Sequence, residues 1–140
     1  MNRAKFRAWD SLKKEWICKG YSALGEVTLF GIIEQHLMEN LEGKRSMLDR
    51  LEDVIESQWT GLYDINKVEI YDGDIIKCSE YDPFDHRVVQ TFKCSVVGFD
   101  FGCYYYFPYG NMMQPHQLLM YAHNPVVIGN IYENPEICQG

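Results

Sequence analysis

Residues 4–9, Ala-Lys-Phe-Arg-Ala-Trp, alternate apolar and polar with a period of two. That pattern puts Ala4, Phe6 and Ala8 on one face of a strand and Lys5, Arg7 and Trp9 on the other. Asp10-Ser11 marks a turn, and Glu15-Trp16-Ile17-Cys18 reads as the return strand, so residues 1–26 are expected to hold an N-terminal β-hairpin. Gly20 to Gly25 reads as loop. From Val27 the apolar spacing changes to three and four, with Leu29, Ile32, Ile33, Leu37 and Leu41 lining one side of a helix. Thr28 suits its N-cap and Gly43 its stop. Glu34, His36 and Glu39 fall outward, which makes His36 a solvated residue. Ser46-Met-Leu-Asp49 resembles a capping box and Met47, Leu48, Leu51, Val54 and Ile55 keep helical spacing. Val54, Ile55, Trp59 and Thr60 are equally good strand formers. The expectation is a helix over 46–53 that gives way to a strand, with 53–58 open between the two, inside a mainly helical insertion at 27–57.

The stretch from Gln58 to Cys78 organises the rest. It has two apolar runs, a polar turn, and glycines at 61 and 73 where the backbone must bend sharply, a pattern that suits a hairpin. Gly73 allows a sharp entry, Asp74 can accept hydrogen bonds from backbone N–H groups of the turn, and Ile75-Ile76 start the next strand. Glu80 to His86 reads as a polar hairpin tip. Strands follow at Val88–Val97, Cys103–Phe107 and Val126–Ile131, with a glycine-containing turn at 99–102 and a closing Pro135. Residues 58–140 are thus expected as a β-barrel lobe, the barrel itself near 64–131, and a C-terminal tail. The fold class is α+β, mainly antiparallel β, in a single domain over 1–140.

A chain of 140 residues with 46% hydrophobic and 14% aromatic content can bury one core and is not a disordered sequence. Charge is uneven: residues 1–25 carry +4, including Arg3, Lys5, Arg7, Lys13, Lys14 and Lys19, and residues 26–140 carry −11. The basic segment is read as neutralising the acidic remainder in preference to forming a phosphate face. Five cysteines, odd in number and widely spaced without a secretory leader before them, point to reduced thiols in the cytoplasm. The longest apolar window, Val27 to Leu41, is interrupted by Glu34, Gln35, His36 and Glu39, so no membrane span or membrane partner is expected.

Candidate chemistry is sparse. Asp82, Asp85 and His86 lie close in sequence, but no second ligand pair stands at metal-site spacing, and a solvated tip explains them better. His86 with Cys94, and His116 or His123 with a carboxylate, are the sole sketches of a catalytic group, and none sits in a local signature. No Cys-x-x-Cys pair and no phosphate loop occur. No cofactor, metal or catalytic residue is expected. The aromatic run Tyr104-Tyr105-Tyr106-Phe107-Pro108-Tyr109 splits over two strand faces, one of them core; Tyr104, Tyr105, Tyr106 and Tyr109 are the candidate interaction surface. No Lys or Arg occurs from 94 to 140, so this face suits a protein partner better than a nucleic acid.

Four separated blocks carry a resemblance: Lys5 to Asp10, Gln58-Trp-Thr-Gly-Leu-Tyr-Asp64, Ile70-Tyr-Asp-Gly-Asp-Ile-Ile-Lys77 and Val127-Ile-Gly-Asn-Ile-Tyr-Glu-Asn-Pro135. In this order they resemble the YopX family of phage and prophage proteins over nearly the whole chain. The resemblance implies a mostly β protein with a small SH3-like barrel, a home in temperate phages and integrated elements of bacterial hosts, and no established activity or catalytic residues to carry over. Within the blocks, Trp9, Gln58, Thr60, Gly61, Asp64, Gly73, Asp74, Gly129 and Asn130 are taken as structural. The family usually has Asn-Gly in the central turn where this chain has Asn66-Lys67, so a different turn type or local strain is expected there. The functional expectation is a non-enzymatic accessory protein binding a macromolecule, most readily a protein or a second copy of itself. A nucleic-acid-binding small barrel and a cryptic enzyme are the alternatives.

Overall fold

The computed structural model describes residues 4–22, 28–100, 102–109 and 116–138. Arg3, residues 23–25 of the expected Gly20–Gly25 loop and Val27, the expected start of the first helix, lie outside them; Gly20 to Ser22, expected as loop, continue a strand. The chain divides into two compact units, Met1–Trp59 and Thr60–Gly140.

In the first unit, β1 (Lys5–Asp10) pairs antiparallel with β2 (Glu15–Ser22) and, on its other side, with the start of β3 (Val54–Tyr63). The expected hairpin is present. Its two-faced reading is corrected: Arg7, Ala8, Trp9 and Asp10 are all buried, because a strand with neighbours on both sides and a helix above has no wet face at that end. Helix α1 (Leu29–Glu39) starts where expected, with Thr28 Oγ1 accepting from Gly31 N at 3.0 Å. It ends at Asn40, before Leu41 and the Gly43 stop. Ala8, Ile33 and Leu37 form the core of this unit, with Ile17, Leu29, Met47, Leu51 and Val54 packed around them. Helix α2 (Met47–Arg50), capped by Ser46, passes through a 3-10 turn at Leu51–Asp53 into β3, so residues 54–58 are strand.

An ion cluster sits against this core. Arg50, fully buried, donates to Asp10 Oδ2 at 2.5 Å, to Asp10 Oδ1 at 3.3 Å and to Asp53 Oδ2 at 2.6 Å, and its Nε donates to Asn40 O at 2.8 Å. His36 Nε2 stands 2.9 Å from Asp10 Oδ2, so His36 is not the solvated residue that its helix position suggests. Asp10 also accepts from Leu12 N and Lys13 N, both at 3.1 Å. Burial alone would raise the Asp10 carboxyl, but the Arg50 guanidinium, His36 and the Lys13 N–H outweigh it and hold it down at about 2.

The second unit holds the end of β3, β4 (Glu69–Tyr71), β5 (Asp74–Asp82), β6 (Arg87–Asp100), β7 (Cys103–Pro108), β8 (Gln117–Leu118), a 3-10 turn at Leu119–Tyr121 and β9 (His123–Asn130). Five of these strands form one antiparallel sheet in the order β8-β7-β6-β5-β9. The protein is mainly antiparallel β with two short helices, as expected. The order is open, ending at β8 and β9, and no strand pairing closes it into a ring among the described residues. The core is Ile70, Ile76, Cys78, Phe92, Val97, Tyr106 and Leu119. β8 and the 3-10 turn beside it, too short to leave a periodic signal, are absent from the sequence reading.

Asp64 builds the turn between β3 and β4. Its Oδ1 accepts from Asn66 N at 2.8 Å and Val68 N at 2.9 Å, and its backbone closes both ends against Val68 O (2.8 Å) and Lys67 N (3.0 Å). Lys67 sits at φ 63°, left-handed backbone that a glycine occupies without cost, so the strain expected at this position is present. Lys67→Gly is expected to stabilise the protein by about 0.5 to 1 kcal/mol. The relieved strain of about 1 to 2 kcal/mol exceeds the added freedom of the unfolded chain. Urea denaturation checks it, and a lowered midpoint would contradict it.

Gly73 has two reasons to be glycine. Its φ is 87°, and a Cβ there would lie 2.6 Å from the Tyr132 hydroxyl oxygen. Asp74 acts as expected, its Oδ2 accepting from Tyr71 N at 2.7 Å.

Candidate functional site

The feature of the second unit with most recognition potential lies where the β5–β6 hairpin meets β8 and the 3-10 turn. Register pairs Glu80 with Gln90 and Tyr81 with Val88, and a bulge falls between Glu80 and Tyr81. Such a bulge re-aims side chains locally. Tyr81 stacks on His123 of β9, with centroids 4.7 Å apart and planes at 18°. Together with Pro83, Gln117, Met120, Tyr121 and Ala122 they line a cleft of about 430 Å³. Phe84, at the tip of the same hairpin, is 92% exposed, and Met120 and Tyr121 are 64% and 63% exposed. The tip is held by Asp82, whose Oδ1 accepts from Phe84 N at 2.8 Å and Asp85 N at 3.2 Å. This local turn explains the Asp82, Asp85, His86 cluster, with His86 in left-handed backbone at φ 52°.

Behind Gln117 runs a polar chain. The Tyr106 hydroxyl donates to Gln117 Oε1 at 3.2 Å, Gln117 Nε2 to Glu80 Oε1 at 3.4 Å and Gln90 Nε2 to Glu80 Oε2 at 2.8 Å. His116 Nε2 stands 3.2 Å from Glu80 Oε1. Burial, then the nearby Cys78 and Glu80, push the Tyr106 hydroxyl far up, so it stays protonated and donates. Adjoining the cleft, and sharing Met120, a second cavity of about 260 Å³ is lined by Thr60, Leu62, Cys103, Tyr104, Leu118, Leu119 and Met120.

The groups around the cleft offer hydrogen bonding and apolar contact. Cys78, which shares a core cluster with Tyr106, is pushed up by burial to about 11, and burial likewise raises Cys18. Such thiols hold little of the thiolate that a nucleophile needs near neutral pH. Among the described residues no three His, Cys, Asp or Glu side chains gather in a metal-binding group. No helix among them is long and apolar enough to cross a membrane.

The residues singled out from sequence are dispersed. Tyr106 is wholly buried in the core and Tyr104 packs against it; Tyr105 is half-buried, and Tyr109 alone of the four is exposed. The anticipated split of the run into one core face and one free face is corrected, because Phe107, on the opposite face from Tyr106, is buried as well. Trp9 is buried edge-on to Trp16 at 4.9 Å, and exposed Gln58 pairs with Phe6 in the ladder. Thr60 Oγ1 donates to Ile70 O at 2.7 Å, and Gly61 takes φ 86°. Gly129 has no room for a side chain, since a Cβ would lie 2.7 Å from Asn134 Oδ1. Asn130 Oδ1 accepts from Tyr132 N at 3.1 Å and Glu133 N at 2.8 Å, fixing the C-terminal turn. Sequence reasoning missed Glu80, Gln90, Gln117, Met120 and Tyr121. Period two along β5 could have placed Glu80 on the same face as Cys78, but nothing local announces the other four.

The family model described as YopX protein matches residues 5–139. No curated protein matches the chain. The crystal structure of protein EF1440 from Enterococcus faecalis is similar at 23% identity with a TM-score of 0.56, covering 97% of this chain and 98% of that one. That likeness concerns the fold.

Proposed function

Since the chain belongs to the YopX protein family, we propose that it is a phage or prophage accessory protein that acts in the bacterial cytoplasm by binding another protein, without chemistry of its own. The observation that carries this reading is the cleft lined by Met120, Tyr121 and the stacked Tyr81–His123 pair, with Met120 and Tyr121 left largely in water and Phe84 exposed at the tip of the hairpin that supplies Tyr81 and Pro83. Exposed apolar groups around a concave site with a few fixed polar groups are what a protein interface needs. A second copy of the chain is one such partner. The finer, SH3-like reading of the second unit rests on the resemblance and on the bulges of β5, which supply curvature of the kind small barrels require.

The nucleic-acid alternative has less support. Arg7 donates to Ser57 Oγ at 3.1 Å and lies 4.7 Å from the Trp16 ring, and Lys13 is spent on Asn40, Glu15 and Glu42. A salt-dependent shift of single-stranded DNA at low salt would revive it.

The test is a Phe84→Ser/Tyr121→Ser double variant. Both side chains are exposed, so stability should stay within about 0.5 kcal/mol of the original for each. Wild type is expected either to capture a host protein that the variant loses, or to form an oligomer in light scattering that the variant does not. A strictly monomeric wild type that captures nothing, or a variant that binds equally well, would refute the reading.

A further inference from the structure

We infer that Cys94 and Cys138 form an oxidation site, a pair of thiols that a small-molecule disulfide converts into an internal bridge fastening the C-terminal turn to β6. Cys94 is a buried residue of β6, 6% exposed. Cys138, half-buried, packs on the cluster of Ile75, Cys94 and Val96. The turn that brings Cys138 there is well built. Asn130 caps its start, Asn134 N donates to Asn130 O at 2.8 Å and Ile137 N to Asn134 O at 3.2 Å. Gly129 lets Ile137 approach so closely that a Cβ would lie 2.8 Å from its Cδ1. The other cysteines stand apart: Cys18 is in the first unit, Cys78 belongs to a different core cluster and Cys103 is exposed. The fold therefore selects one pair from five thiols.

The chemistry balances with a small disulfide as oxidant. The thiolate of one cysteine attacks it, forming a mixed disulfide and releasing one small thiolate, which takes up a proton. The second cysteine loses its proton to water and attacks the protein sulfur of the mixed disulfide, releasing the second small thiol. The protein gives up two electrons and two protons, and the small disulfide gains both. Burial and the neighbouring Cys94 thiol push the Cys138 thiol well above the ordinary range, so bridging is slow near neutral pH and speeds up as the solution becomes alkaline. Once formed, the bridge closes a long loop and restricts the unfolded chain.

The test uses the full reduced chain incubated with oxidised glutathione at pH 7 and at pH 9, quenched with iodoacetamide and mapped by mass spectrometry. Expected are a Cys94–Cys138 cross-linked peptide that forms faster at pH 9, Cys18 and Cys78 still open to alkylation after unfolding, and a raised urea midpoint. Cys138→Ser, a conservative change in a surface turn, should fold, form no bridge and show no rise. Four results would each overturn the site: no cross-link, the two cysteines carrying separate glutathione adducts, the same yield of bridge when the chain is oxidised in guanidinium, or a bridge that leaves the midpoint unmoved.

Discussion

Arg50→Ala is expected to cost about 3 to 5 kcal/mol, the usual result of stripping one partner from a buried ion pair. The guanidinium is fully buried and serves Asp10, Asp53 and the carbonyl of Asn40 together, so its loss leaves the wholly buried Asp10 carboxylate with His36 and two backbone N–H groups. Urea denaturation followed by tryptophan fluorescence reads it, since Trp9 and Trp16 report on the same hairpin. Acid adds an independent signature. The Asp10 carboxyl falls from an ordinary 3.8 to about 2 on folding, so its stabilisation is fully present above pH 3.8 and lost as pH drops toward 2. The amount at stake is about 2 to 3 kcal/mol. The wild type should lose that much across this window, and Arg50→Met, which fills the space without charge, should show a shallower acid limb. A variant within 1 kcal/mol of wild type, with the same acid limb, would mean the cluster is ornamental.

Asp64→Ala is expected to cost about 3 kcal/mol, because three backbone donors lose a charged acceptor at once. Two of them, Asn66 N and Val68 N, belong to the β3–β4 turn. The third is Val127 N, which donates to Asp64 Oδ2 at 2.9 Å, and beside it Ile65 N donates to Pro125 O at 2.9 Å. The turn thus covers part of β9, the outermost strand of its sheet, and gives its ladder groups partners where no further strand follows. Amide exchange of Val68 and Val127 should accelerate in the variant, together with a tendency to associate through the uncovered edge. Asp64→Asn, which keeps one acceptor oxygen but offers an amide in place of the other, should fall between. Unchanged protection at Val127 would show that the strand edge is held by something else.

What could be read ahead of the coordinates is what the chain decides over a few neighbouring residues. Thr28 and Ser46 cap helices because a side-chain oxygen reaches an N–H three residues on, and that needs nothing distant. Gly73 and Asp74 make their turn for the same reason, and the Asn66-Lys67 pair puts a non-glycine residue in left-handed backbone at the β3–β4 turn. The alternation of residues 4–9 places a strand but is silent about how many neighbours the strand will have. That number, two, is what turns Asp10 from a turn residue into the buried partner of an arginine 40 positions away. His36 and Tyr106 change character likewise, one drawn in by a carboxylate from another strand, the other enclosed by Cys78, Phe92 and Leu119.

The cleft belongs to the same class. Besides Tyr81 and His123 at the ends of two longer strands, its walls come from a hairpin tip, a two-residue strand and one 3-10 turn, pieces too short to carry a periodic signal. By itself the sequence determined the β-rich class, the caps, the turns and the family, because each depends on backbone geometry and neighbouring side chains. Tertiary structure alone decided which charges are buried, which tyrosines are core and where apolar surface is left in water, because burial is a property of contacts between segments far apart in the chain.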